Sequence, residues 1–329
     1  MTLAWAAWLT ICVVWGTTYL AIRVSLETVP VLLVAGLRWM AAGVLLSAIV
    51  LARGRRLPPP RQWGSLLLLG FLMNLVGNGF VVWAEQYVAS GLAAVVIATV
   101  PFWSLGFEAV VPPRQPVTRR AVTGLLIGSF GVVVLVWPAL VTGGGSGRNF
   151  VLGVLALQVA CAGWALGTSY AKRHAPGDDP LGAVALQMTF SGIMLLVLAS
   201  ANGEWAALHF SVRSLAAMAY LTIVGSLVAY TAYIYAVRHL PVSTVSLYAY
   251  INPLIAVLLG AALLGEPLSA RIAVASTMVL AGMAIVGWPR PRTAVAVADH
   301  AGGRGGSARL AAVASASSTS ATSPMPRSS

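Results

Sequence analysis

Cys12-Val-Val-Trp15, near the start of the chain, returns as Cys161-Ala-Gly-Trp164, 149 positions later. Further on, Pro101 matches Pro253 at an offset of 152, and Pro116, Gly131 and Trp137-Pro138 match Pro267, Gly282 and Trp288-Pro289 at 151. The chain therefore reads as two copies of one unit. Each copy holds five apolar stretches of membrane length. Five is odd, so the second copy must enter the bilayer from the opposite side. Inverted repeats of this kind are a transporter architecture, with the binding site near the midplane where the copies meet.

Composition agrees with a lipid environment. Hydrophobic residues make up 59% of the 329 positions and charged residues 9%, against about 25% charged in a soluble domain. A hydrocarbon core about 30 Å thick takes about 20 apolar residues per helix. By that measure the chain holds ten spans: Leu3–Ile22, Pro30–Leu51, Trp63–Val82, Gly91–Val111, Ala121–Leu140, Val151–Ala171, Leu181–Ala201, Leu215–Ala236, Val242–Leu264 and Ile272–Trp288. The runs are continuous, without the alternation of a membrane β-barrel. The expected fold class is an all-α polytopic membrane protein, ten transmembrane helices in two inverted five-helix repeats. Its parts are a first repeat over 1–140, a Gly-rich external connector over 141–150, a second repeat over 151–289 and a disordered cytoplasmic tail over 290–329.

A net charge of +12 would point to nucleic acid in a soluble protein, but its distribution is that of a membrane topology. With a cytoplasmic N-terminus, Arg53, Arg55, Arg56, Arg61, Arg114, Arg119, Arg120, Lys172, Arg173 and Arg238 fall on inner loops, and the tail adds five arginines. The outer side receives Arg23, Arg148, Arg213 and Arg271. Fifteen inside against four outside follows the positive-inside rule and places both termini in the cytoplasm. No nucleic-acid partner is expected. The first span has no basic region before it, unlike a signal peptide. Two cysteines within apolar runs cannot complete a zinc site, so no metal or other cofactor is expected.

Polar groups inside a bilayer are costly and mark function. Arg38 lies near the middle of the second span, where it either attracts an anionic group of a solute or ties the scaffold together. Glu85 and Glu108 are the carboxylates nearest the spans and the candidates for proton coupling. Their structural alternatives are a cap on the outer end of span three for Glu85 and a contact with Arg114 or Arg119 for Glu108. Pro101 and Pro253, in spans four and nine, should kink their helices and face each other across the repeat axis. Candidate cavity residues are Trp15, Thr18, Tyr19, Asn74, Asn78, Trp83, Tyr230, Tyr233, Tyr248, Tyr250 and Asn252. Each has a structural alternative: interhelical bonding for the amides, interface anchoring for the aromatics. Gly70, Gly77, Gly128 and Gly131 are read as close-packing positions. No His-Glu-x-x-His, Gly-x-Ser-x-Gly or paired carboxylate within a span is present, so the chain is not read as an enzyme.

Trp15-Gly-Thr-Thr-Tyr19, Ala35-Gly-Leu-Arg38, the stretch Trp83-Ala-Glu-Gln-Tyr-Val-Ala-Ser-Gly91 running into Pro101, and Asn252-Pro253 followed by Gly265-Glu-Pro-Leu268 resemble the EamA branch of the drug/metabolite transporter superfamily. The resemblance covers about residues 3–289 and is nearest to the inner-membrane metabolite exporters of that branch. It implies ten helices in two inverted repeats, a central cavity lined by spans one, three, four, six, eight and nine, and export of small metabolites or amino acids without ATP. The chain departs from the family pattern in two places. Gly265-Glu266 of the second copy is Arg114-Gln115 in the first, and Ala89 stands where the family often has proline.

The expected function is a secondary active transporter in the cytoplasmic membrane that exports a small organic solute by alternating access, with proton coupling through Glu85 or Glu108. Its expected partners are that solute and the bilayer, with monomer and homodimer both open. A passive facilitator is the nearest alternative. An intramembrane enzyme, or a sensor signalling through the tail, is the alternative from another class.

Overall fold

The computed structural model describes residues 2–111, 118–142, 145–174, 179–240, 245 and 248–287, and for 139–140, 142, 145–146, 237, 250 and 287 the backbone alone. The tail read from Arg290 onward and Trp288 lie outside the described residues. Among the described residues there is no strand.

Eight helices are long and apolar enough to cross a membrane. They are α1 (Thr2–Ser25), α2 (Val31–Ala52), α3 (Pro60–Ala84), α4 (Ser90–Val110), α5 (Arg119–Thr142), α6 (Gly145–Arg173), α7 (Pro180–Ala201) and α8 (Val212–Ala236). Two shorter apolar helices follow, α9 (Tyr248–Leu264) and α10 (Ala270–Gly287). In lipid every backbone amide must be met within its own segment, which is why continuous apolar sequence becomes helix. The outward face of α5 carries Leu126, Phe130, Val133 and Trp137, all exposed, as a lipid-facing surface requires. α6 begins at Gly145, so helix occupies part of the stretch read as a flexible connector.

Two long pairings organise the bundle. α2 lies along α7, and α5 along α10. Between lipid-embedded helices there is little hydrophobic drive, and small residues gain packing by letting backbones approach. A Cβ on Gly43 of α2 would stand 2.5 Å from the Thr189 nitrogen, and one on Gly192 of α7 would stand 2.5 Å from the Met40 nitrogen. These two glycines are 149 positions apart, the offset that relates the cysteine motifs. Gly70, Gly128 and Gly131 also meet a neighbouring helix closely, as expected, against Gln187, Phe102 and Ala275 respectively.

α3 and α8 are not α-helical throughout. Gly70–Gly79 in α3 and Leu221–Val228 in α8 form wide π turns. The two segments begin 151 positions apart. Such wide turns are rare and frequent at functional sites.

The two prolines are used differently. α4 is interrupted at Ala98–Thr99, and Pro101 sits in the first turn of its second half, Val100–Val110. There a missing amide costs nothing, since first-turn amides lack intrahelical partners. Pro253 lies inside the continuous α9. The expected pair of matching kinks is thus a break in one helix and an internal proline in the other.

Candidate functional site

Polar side chains buried in this apolar bundle gather where helices of the first half cross the π segments of the second, and the reverse. Arg38, the eighth residue of α2, is 3% exposed, and its Nε donates to Ser226 Oγ on the π segment of α8 at 3.0 Å. Ser226 in turn donates to the Leu221 carbonyl at 3.0 Å. Gln187, the eighth residue of α7, donates from Nε2 to Asn74 Oδ1 on the π segment of α3 at 3.0 Å. Arg38 and Gln187 are 149 positions apart. Both crossings leave a buried donor unmet, Nη1 of Arg38 and Nδ2 of Asn74. The Asn78 Oδ1 acceptor is also without a partner. An unmet buried polar atom costs about 1–3 kcal/mol, more when charged, so such atoms call for a function. No carboxylate lies within ion-pair distance of Arg38 among the described residues. Its guanidinium lies over the Trp39 ring, 4.6 Å from the centroid.

An aromatic wall adjoins this point. Trp15 of α1 meets Tyr230 and Tyr233 of α8 and Tyr248 of α9, with ring centroids 5.6, 5.5 and 5.0 Å apart. Its Nε1 donates to the Gly225 carbonyl in the π segment at 3.3 Å. Trp39, beside Arg38, packs edge-on to Tyr230 at 6.1 Å. Thr18 bonds back to the Trp15 carbonyl, and Thr17 meets the Tyr220 hydroxyl. The wall joins α1, α2, α8 and α9 around one indole.

Beyond the end of α3, Glu85 is fully buried and neither carboxyl oxygen has a partner. Arg23 bonds the Glu85 backbone carbonyl, leaving the carboxyl itself bare. Burial raises the Glu85 carboxyl well above the ordinary range; Glu266 adds to this, and Arg23 and Arg38 oppose it. Tyr19 is also within electrostatic reach of this group. Glu266 serves as a cap. Its carboxylate accepts from the Ser90 amide at 2.7 Å, the Ser90 hydroxyl at 2.8 Å and the Gly91 amide at 3.0 Å, closing the start of α4. Glu204 does the same for α2, accepting from Leu32 and Leu33 amides at 2.9 and 3.1 Å.

The structure moves several expected residues. Glu85 is not a surface cap on span three but an unpartnered group in the interior. Glu108 pairs with Lys172 at 3.2 Å, an exposed ion pair, and not with Arg119; Arg114 lies outside the described residues. Trp83 packs on Tyr87 at 5.1 Å and takes no part in the wall around Trp15. Asn252, turned so that its amide nitrogen meets acceptors, donates to Tyr248 and Cys12 carbonyls at 3.0 and 2.9 Å. It splints α9 beside Pro253 and ties it to α1. The Tyr250 side chain falls outside what is described. The sequence alone does not single out Ser226, Thr17 or Trp39, and it marks Gln187 only by its offset of 149 from Arg38. A lone serine or glutamine in an apolar run was the available signal.

The EamA-like transporter family matches this chain twice, over residues 2–137 and 151–288. The chain belongs to that family. As an EamA-like protein it is 38% identical over 261 residues to the uncharacterized inner membrane transporter YedA of Escherichia coli (strain K12), covering 78% of this chain and 81% of that one. It is 24% identical over 289 residues to a probable amino-acid metabolite efflux pump of Salmonella typhimurium, covering 84% and 92%. A solved crystal structure, 22% identical, superposes with a TM-score of 0.60 over 88% of this chain and 99% of that one, which shows a shared fold. The chain is thus a polytopic membrane protein of an EamA-like transporter family within the drug/metabolite transporter superfamily.

Proposed function

We propose that this chain is a secondary transporter of the cytoplasmic membrane that exports a small organic metabolite by alternating access, with ten spans in two inverted five-helix repeats. The observation that carries the reading is the double family match, over 2–137 and 151–288. Inversion draws support from which turns meet. The α1–α2 turn meets the turn before α8, through Glu27–Arg213 at 3.3 Å and the His209 amide on the Thr28 carbonyl. The α2–α3 turn meets the one before α7, through Arg55–Asp179 at 3.4 Å. Copies inserted the same way would bring equivalent turns to one face; here each turn meets the one a span out of step. At about 1.5 Å per residue, α9 and α10 reach roughly 26 Å, enough to count as the ninth and tenth spans. The face bearing Arg53, Arg55, Arg56, Arg61, Lys172 and Arg173 is then cytoplasmic.

Solute binds between the two crossings. Arg38 Nη1 takes a carboxylate, Asn74 and Asn78 fix a second polar group, and Trp15, Thr18, Tyr19, Tyr230, Tyr233 and Tyr248 enclose an apolar remainder. This fits an amino acid or a related organic acid. Glu85 carries the proton where transport is coupled; Glu108, already paired, does not. The test is uptake into inverted vesicles across a panel of amino and organic acids, with and without a pH gradient, for wild type and Glu85→Gln. Saturable uptake lost in Arg38→Gln supports the reading. Uptake that ignores Arg38 sinks the site, and a gradient effect that survives in Glu85→Gln sinks the coupling.

A further inference from the structure

A cavity of about 740 Å³ lies away from the crossings, between the later half of α4, α5 and α6. Its walls include Phe102, Phe107, Val110, Leu125, Val132 and Leu166. Its polar floor is closed on itself. Trp103 Nε1 donates to Gln158 Oε1 at 2.9 Å, Gln158 Nε2 to Thr99 Oγ1 at 3.2 Å, and Thr99 Oγ1 to the Val96 carbonyl at 2.8 Å. Nothing at the floor asks for a polar ligand group. Trp103, Val110 and Leu166 are exposed at the edges, so the cleft opens sideways, toward hydrocarbon.

The mouth has the opposite character. The three helices that form the cleft end or begin beside it with Arg119 and Arg120 on α5 and Lys172 and Arg173 on α6, all exposed. Arg173 Nη2 donates to the carbonyl of Val111, itself a lining residue, at 3.3 Å. Glu108 meets Lys172 and offsets one of these charges. The positive-inside rule explains the sign of this end. It does not explain an apolar cleft directly beneath the charges. Basic residues over a pocket between spans at the inner face are a site for anionic lipid headgroups.

We propose that this cleft holds one acyl chain of an anionic glycerophospholipid of the inner leaflet, whose phosphate lies among Arg119, Arg120, Lys172 and Arg173. The proposal takes from the preceding section only that this end of the bundle meets the inner leaflet. The experiment is native mass spectrometry of the full chain in detergent, with phosphatidylglycerol or phosphatidylcholine added at equal concentration. The wild type is expected to retain one phosphatidylglycerol in strong preference to phosphatidylcholine. Gly106 lines the cleft and a Cβ there meets nothing within 4 Å, so Gly106→Phe adds a ring at the cleft wall and should abolish that retention. Arg119→Gln with Arg173→Gln should cost about fivefold per charge, from about 1 kcal/mol each. Equal retention of phosphatidylcholine by the wild type, or undiminished phosphatidylglycerol on Gly106→Phe, overturns the proposal. If Gly106→Phe does not fold, unchanged retention in the arginine double variant overturns it alone. The measurement is blind to sidedness, so its failure leaves the transport reading untouched.

Discussion

The crossing of α2 over the π segment of α8 and that of α7 over the π segment of α3 differ by one charge. Each uses the eighth residue of a 22-residue helix and a partner on a wide turn of the opposite half. One residue is a guanidinium and the other a neutral amide. Gln187 shows that an amide suffices to hold such a crossing together. The charge of Arg38 is therefore more than the architecture needs, and its unmet Nη1 is where that excess points.

The comparison breaks most severely if the frame common to both crossings is removed. Gly43→Leu or Gly192→Leu forces a side chain into the backbone of the facing helix, so little folded protein should survive extraction, as monodispersity and melting in detergent will record. Gly64→Ala, whose Cβ meets nothing within 4 Å, is the control. Next in size is Arg38→Gln, which turns the first crossing into a likeness of the second. It should fold, with melting close to wild type, and lose uptake of carboxylate solutes by about tenfold to a hundredfold, the worth of a charge-assisted hydrogen bond of roughly 1.5–3 kcal/mol. An Arg38→Gln protein that transports normally would make the guanidinium a scaffold element after all.

A third change acts beside the crossings. Burial raises the Glu85 carboxyl above its ordinary range, so above about pH 4.3 and below that raised value the folded chain binds a proton that the unfolded chain gives up. With more protons bound in the folded state, stability declines as pH rises from that point toward the folded pKa. Glu85→Gln has no proton to hold, and its melting temperature should vary less between about pH 5 and 8. An identical pH slope in the two proteins would show that Glu85 is ionised when folded. Smallest is Asn74→Ala, which leaves Gln187 Nε2 with only the Met73 thioether, at 3.9 Å, on the neutral side. It should cost about 1–3 kcal/mol in stability and only a few-fold in transport. Losing as much transport as Arg38→Gln would mean that the second polar group of the solute counts for as much as its carboxylate.

Continuous apolar runs made the eight long apolar helices and the glycine contacts readable from the chain alone, because lipid leaves the backbone few choices. Arg38 stood out for the same reason. The π segments did not: LTIVGSLV has the composition of an ordinary apolar helix, and the glycines and asparagines of GFLMNLVGNG read equally well as close-packing and interhelical-bonding positions. At the start of the α3 segment, Gly70 comes against the Gln187 carbonyl, where a Cβ would stand 2.7 Å away. Nor could spacing reveal that Glu266 caps α4, about 176 positions away, or that Glu85 lies bare inside while Glu108 finds Lys172. Charge type is visible in a sequence, but the partner is a property of the fold.

The trans caps carry a consequence for the direction in which this molecule yields. Glu204 and Glu266 belong to the second half, while the helix starts they close, at Leu32, Leu33, Ser90 and Gly91, belong to the first. On the opposite face the equivalent amides, Leu181 and Gly182, are held by Asp179 of their own helix. Parting the halves at the Glu204 face strips two helix starts of their carboxylates at once, whereas parting them at the Asp179 face strips none. The bundle is latched by helix caps on one side and by exposed ion pairs, Arg55–Asp179 and Glu108–Lys172, on the other.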